Sequence, residues 1–169
     1  MQEVENTSAP QKQAPAECVV TFREFFAYVK KTNPSIIDDQ QSQKRWLSQN
    51  FRKALAHNVA RFGKETTVPD FPDNHTFLGV WNKPTTYSII GSRHYDYRDA
   101  DNPDDNRAVI DVIYVWDHSG SLDNQYPGEK NLRSFIFVFE DGAWKLDDIY
   151  NFTDEYAPPG SLSAYFSRE

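Results

Sequence analysis

Apolar positions follow two rhythms along this chain, and the change between them divides it. Phe22, Phe25, Phe26 and Val29 fall at i, i+3, i+4 and i+7, the single stripe of an amphipathic helix. Thr21-Phe22-Arg23-Glu24 has the form of a capping box, which predicts the helix start there. Lys30 and Lys31 suit the negative helix end, and Asn33-Pro34 predicts the stop. A second stripe, Leu47, Phe51, Leu55, Val59 and Phe62, is helped by Trp46 and Ala54. It predicts one long helix over residues 38–62, with Gly63 placed as a left-handed C-cap.

From Pro69 onward the period shortens to two. Residues 68–73 hold the breakers of a loop. Strands are predicted over residues 75–81, 84–97, 107–117, 131–140 and 143–153. The last two flank Asp141-Gly142, a strong two-residue hairpin signal. Residues 98–106 and 118–130 read as polar loops, and a short terminal helical turn follows Pro158, Pro159 and Gly160. Helices followed by a run of antiparallel strands define an α+β protein. The N-terminal helices are expected to pack on one face of a curved antiparallel sheet.

Composition then narrows the picture. At 169 residues the chain is long enough for one domain with a real core. Residues 1–17 are built from Ala, Pro, Gln, Ser and Glu with almost no aliphatic content, so a disordered leader is assigned to residues 1–18 and the domain to 19–169. The leader lacks the basic start and apolar run of a signal peptide. Met1 is the only methionine, which fits a start placed after a removed signal and hence an extracytoplasmic protein. A cytoplasmic protein with a floppy tail is the alternative. The lone Cys18 excludes an intrachain disulfide and a cysteine-based zinc site, and it reads as a buried, inert thiol. A net charge of −7 argues against unaided binding to a nucleic-acid backbone. No run approaches the roughly 20 apolar residues of a membrane span. Between residues 40 and 64 stand Lys44, Arg45, Arg52, Lys53, Arg61 and Lys64 with no acid. They read as a solvated helix face, or else as a face for an anion or a partner.

Amphipathic N-terminal helices, the segment Phe77-Leu-Gly-Val-Trp81, the strand from Ala108 to Trp116 and the terminal hairpin Gly142-Ala-Trp144-Lys-Leu146-Asp-Asp148-Ile149 carry a resemblance. The chain resembles the nuclear transport factor 2-like superfamily, above all its bacterial, often exported, domains. The resemblance implies a cone-shaped α+β domain whose bent sheet and helices enclose a pocket. It also implies a homodimer through the outer face of the sheet. The superfamily includes isomerases, dehydratases, hydrolases, transport adaptors and binding modules, so the fold alone does not choose a function.

The chemistry is therefore argued from residues. With Asp141 and Gly142 as turn residues, Phe139 faces Trp144 and Phe137 faces Leu146. Continued alternation puts Phe135 opposite Asp148 and Arg133 opposite Tyr150. Asp148 is then a carboxylate among aromatic rings, where lost hydration raises a pKa and can make a general acid or base, with Tyr150 as hydrogen-bond donor. The structural alternative has Asp148 tying down a helix N-terminus or pairing with Arg133. Asp147 is expected on the wetter face.

In the preceding hairpin, a turn centred on Asn102 would set Arg93 opposite Asp111 in an otherwise apolar layer, a pair more often structural than functional. It would also set Tyr95 opposite Val109 and Ile89 opposite Val115. His94 on the same strand could assist acid–base work or simply pack.

The four histidines have no ligand spacing, so no metal site is expected and no motif asks for a cofactor. The acidic loop with Asp99, Asp101, Asp104 and Asp105 lacks the Gly and the Glu of a calcium-binding loop. Three functions are compatible with these residues. The favoured one is a noncatalytic ligand-binding or protein-interaction module with an aromatic-lined pocket. The second is a small acid–base enzyme acting on a hydrophobic small molecule through Asp148. The third is an inhibitor or immunity-type protein that neutralises a basic partner through exposed Asp101, Asp104, Asp147 and Asp154.

Overall fold

The computed structural model describes residues 12–31, 36, 39–62, 86–115, 132–150 and 161–167. Helix α1 spans Ala16–Lys31 and buries Cys18, Phe22, Phe25, Phe26 and Val29, the predicted stripe extended by one turn. The expected capping box is not its start. Thr21 lies inside the helix and donates its hydroxyl to the Glu17 carbonyl at 3.0 Å. The helix opens at Pro15, whose carbonyl accepts from Cys18 and Val19 at 3.0 and 3.2 Å. Proline suits that entry because its φ is preset and its missing N–H would have had no partner there. The described structure begins at residue 12, ahead of the expected domain boundary at 19. Lys12 pairs with His94, and Ala14 donates its N–H to the Ser92 hydroxyl at 3.0 Å.

The predicted long helix is two. Helix α2, Gln40–Trp46, starts on Asp39, whose carboxylate accepts from the Gln41 and Ser42 amides. Helix α3 spans Gln49–Phe62. Between them Leu47 is extended and pairs with Leu146, while the Ser48 amide donates to the Leu146 carbonyl at 2.8 Å. Ser48 then caps α3, its hydroxyl oxygen accepting from the Phe51 amide at 3.0 Å. Leu47, Phe51 and Leu55 are all buried, so the apolar stripe passes through the break without a change of phase. Asn33-Pro34, Gly63, the strand at 75–81 and the loop at 118–130 lie outside the described residues.

Four strands follow: β1 Thr86–Asp96, β2 Asn106–Val115, β3 Leu132–Glu140 and β4 Ala143–Tyr150. They form one antiparallel sheet in the order β1-β2-β3-β4. The fold is α+β, as the two rhythms predicted, and the sheet is not closed into a barrel. Asp141 and Gly142 both have positive φ, 53° and 76°, the conformation of a type I′ hairpin turn. The chain ends in a short helix α4, Leu162–Phe166, started by Ser161.

Ala108, Ile110, Val112 and Tyr114 of β2, Phe135 and Phe137 of β3, and Trp144, Leu146 and Ile149 of β4 point to one face. They join the helix stripes there in a single core. Rings meet across it: Tyr87 meets Phe22 and Phe26 edge to face at 4.9 and 4.6 Å, and Phe22 lies tilted on Phe135 at 4.9 Å. Each such buried side chain contributes about 1.5–3 kcal/mol, and a well-set aromatic pair adds roughly 0.5–1.5.

A bulge in one hairpin, and an earlier turn centre together with a bulge in the other, correct the predicted registers. Between Leu146 and Asp148 the ladder shifts by one residue, so Ile149 opposes Phe135 and Asp148 opposes Ile136. Tyr150 opposes Ser134, not Arg133. In the other hairpin Gly91 opposes Asp111 and Arg93 opposes Val109, two residues from the expected alignment. Tyr95 opposes Arg107, and Ile89 opposes Val112. A further shift falls between Ile89 and Gly91. Both bulges sit where the alternation of the sequence breaks: two acids in a row at Asp147-Asp148, and two aliphatics in a row at Ile89-Ile90.

Candidate functional site

The β4 bulge decides the environment of Asp148. It turns this 5%-exposed carboxylate away from the aromatic layer and toward the start of α4. Asp148 accepts from its neighbour Ile149 at 2.8 Å, from the Ser163 amide at 2.9 Å and from the Ser163 hydroxyl at 2.6 Å. It also accepts from the Ser161 hydroxyl. Ser161 in turn caps α4 by accepting from the Ala164 amide at 3.1 Å. Every one of these partners is a donor, and two are backbone amides. That is the arrangement of a carboxylate holding a helix start in place.

The remaining predicted residues separate by face. Arg133 is 1% exposed on the inner face, its guanidinium 5.7 Å from the Tyr114 ring, and it donates to the Leu132 carbonyl at 2.8 Å. Burial pushes the Tyr114 phenol well above its ordinary range, against the opposing pull of the Arg133 charge. His94 also lies on the inner face, at the hairpin end. Its Nε2 is 2.7 Å from the Asn106 side-chain oxygen, and its ring meets Trp144 edge to face at 6.0 Å. Neither residue touches Asp148 or the other, so the predicted set does not converge on one reacting centre.

The outer face holds a different arrangement. Gly91, Asp111, Ser134 and Tyr150 are successive Cα partners, a row across all four strands. Ser134 donates to Asp111 at 2.5 Å, and Arg93 reaches diagonally to both Asp111 oxygens at 3.2 Å. The predicted ion pair therefore forms although its register is wrong, because residues two apart on one strand share a face. It is less buried than the apolar layer implied, with side chains 37% and 22% exposed. Half-buried Ile113, Val115, Leu132, Ile136 and Val138 surround the row, and Tyr150 stands exposed at its end. The row itself was missed from sequence, since it depends on where the β1–β2 turn is centred and on the bulge in β4.

Of the acidic residues expected to share a surface, Asp101 and Asp104 are exposed and Asp147 is half-buried. Asp99 is engaged by the Asp101 and Asn102 amides at 2.9 and 2.7 Å in its own turn. Asp147 accepts from the Ser48 hydroxyl at 2.6 Å and faces Arg107 at 3.7 Å. Asp154 is outside the described residues. Among the described residues there is no group of three or more His, Cys, Asp or Glu side chains that could hold a metal ion. No helix among them is long and apolar enough to cross a membrane. No protein-family model matches the chain, and neither a curated protein nor a solved structure matches it.

Proposed function

We propose that this protein is a noncatalytic protein-interaction module whose working surface is the outer face of the sheet, around the row Asp111–Ser134–Tyr150. The observation that carries this reading is the contrast between the two faces of one sheet. The inner face joins the helices in one buried apolar cluster among the described residues, and the carboxylate best suited to acid–base work is taken up by the start of α4. The outer face combines half-buried aliphatics with a hydrogen-bonded polar row and an exposed tyrosine. That mixture of an apolar ground and a few fixed polar groups suits protein recognition. The element order also supports a place in the nuclear transport factor 2-like superfamily, whose binding modules need no catalytic set.

The test compares the immobilised full chain with Ile136→Lys and Tyr150→Ala variants as bait. A protein retained by the wild type and lost from both variants, with their unfolding midpoints little changed, supports the reading. A native chain that instead binds a hydrophobic fluorescent probe stoichiometrically, and releases it on a Phe135 substitution, overturns it in favour of an interior ligand.

A further inference from the structure

The outer sheet face carries two tyrosines at its hairpin end. Arg93 reaches Asp111 on this face, and Tyr95 follows two positions on, opposite Arg107. Tyr97 comes next, and its ring meets that of Tyr95 at 6.2 Å with planes 30° apart. Tyr97 is 63% exposed, so a face of its ring is open to solvent. The backbone beneath it is fixed, because the Tyr97 amide donates to the Asp105 carbonyl at 2.9 Å. A lone exposed ring means little, but two in contact on fixed backbone form a platform. Rigid tyrosines presented in this way are the residues that anchor protein partners.

The ground around the platform is acidic. Residues 96–107 hold five aspartates against Arg98 and Arg107. Both guanidiniums already sit against carboxylates. Arg98 bonds both oxygens of Asp96 at 2.7 and 2.6 Å, and Arg107 lies 3.6 Å from Asp105 and 3.7 Å from Asp147. Asp99 closes the turn with its side chain. Asp101 and Asp104 are exposed, and they enter the bonds of the turn through their backbone groups.

We propose that this hairpin end docks a basic segment of a partner protein, with a lysine or arginine side chain laid on Tyr97 and further cations facing Asp101 and Asp104. A cation is attracted both to the face of an aromatic ring and to the carboxylates beside it, so ring and charge select the same occupant. An acidic segment would meet like charge, and a purely apolar one would bury the aspartates without a partner. The inference rests on the outer face being the working surface, and it adds the chemistry of what that face takes.

The probe is a fluorescently labelled peptide of alternating arginine and glycine, titrated against the full chain at an ionic strength of about 0.15 M. Saturable binding that weakens with added salt is expected. Tyr97→Ala should weaken it about threefold with no change of charge, and Tyr97→Phe should keep it. Asp101→Asn combined with Asp104→Asn should weaken it about fivefold or more. Glu17→Gln combined with Glu24→Gln, at exposed positions of α1, removes the same charge and should change it by less than about twofold. No binding up to about 1 mM peptide overturns the proposal. So does wild-type affinity in Tyr97→Ala, and so does equal weakening by the two double variants, which is attraction to net charge alone. The comparison of Ile136→Lys and Tyr150→Ala baits is independent of this peptide. A partner lost from both baits while the peptide fails removes the basic segment and leaves the outer-face reading in place.

Discussion

Asp148 accepts both the backbone amide and the hydroxyl of Ser163, at 2.9 and 2.6 Å, fifteen positions along the chain. The pair fixes α4, which brings Leu162 and Phe166 into the core, Phe166 stacked on Phe51 at 5.9 Å. Asp148→Asn should therefore be a stability variant. An amide keeps one oxygen for the two backbone amides, but its NH2 group faces the two serine hydroxyls, which must turn from donating to accepting, and the charge that strengthened all four bonds is gone. The expected cost is about 1–3 kcal/mol, less than for Asp148→Ala. Urea unfolding measures it. An asparagine variant as stable as the wild type would mean that the carboxylate charge is not needed there.

A second device joins the hairpin to the helix break. Lys145 donates to the carbonyls of Lys44 and Arg45, both at 2.8 Å, closing the end of α2. On the other side of the break Glu140 accepts from the Gln49 amide at 2.6 Å, at the start of α3. A cation thus meets a helix C-terminus and an anion a helix N-terminus, the favourable pairing with both dipoles. Lys145→Met should cost about 1–3 kcal/mol, because it keeps the stem and removes both bonds. Lysine-to-methionine loss well under half a kcal/mol, read as an unchanged urea midpoint, would show that water replaces the cap.

The helix break and the bulges show where the sequence was legible and where it was not. Burial periodicity identified the core positions of α1, α3 and the inner sheet face, since one face of each element is largely apolar. It could not locate the break at Leu47, because i, i+4 spacing continues across it and the cause is a contact with Leu146 about a hundred positions away. A local signal did exist in Ser48, a good cap residue set inside the stripe. The bulge at Asp147 was also readable: Trp144 and Leu146 alternate, and the next inward residue is Ile149, an odd step that a regular strand does not allow. Reading through it put Asp148 among rings instead of hydroxyls. The outer row was not readable, since its membership needs the register of three strand pairs at once.

Cys18 links stability to alkaline pH. Its thiol is fully buried in α1, and that burial raises its pKa from 9.0 to about 12. Folding therefore holds a proton that the unfolded chain releases. The associated stability is complete below the unfolded value near 9 and is lost as pH rises toward 12. Relative to Cys18→Ala, the wild type should lose about 1 kcal/mol between pH 9 and 10. Comparing the two chains cancels the contributions common to both, those of Lys145, whose pKa burial lowers, and of Tyr114, whose pKa burial raises. Parallel slopes for the two proteins would show that the thiol titrates normally. At pH 8 the native thiol should also resist a disulfide reagent that modifies it in urea.

Gly142 tests the hairpin on which the cap contacts of the helix break depend. Its φ of 76° lies in the left-handed region, and a Cβ there would meet nothing within 4 Å. Gly142→Ala therefore isolates conformational strain from packing, and it should cost about 1 kcal/mol. Asp141, at 53°, is a residue type that tolerates this region, so Asp141→Asn should be neutral and Asp141→Val should cost about 1–2 kcal/mol. The effect should also reach beyond the turn. Glu140 and Lys145 flank it and hold α3 and α2, so loosening the turn frees both ends of the break. Hydrogen exchange at the Ser48 and Gln49 amides, which donate to Leu146 and Glu140, should quicken in Gly142→Ala more than exchange at Ile110 in the sheet centre. Equal acceleration at all three sites would mean that the hairpin and the helix break are not mechanically joined.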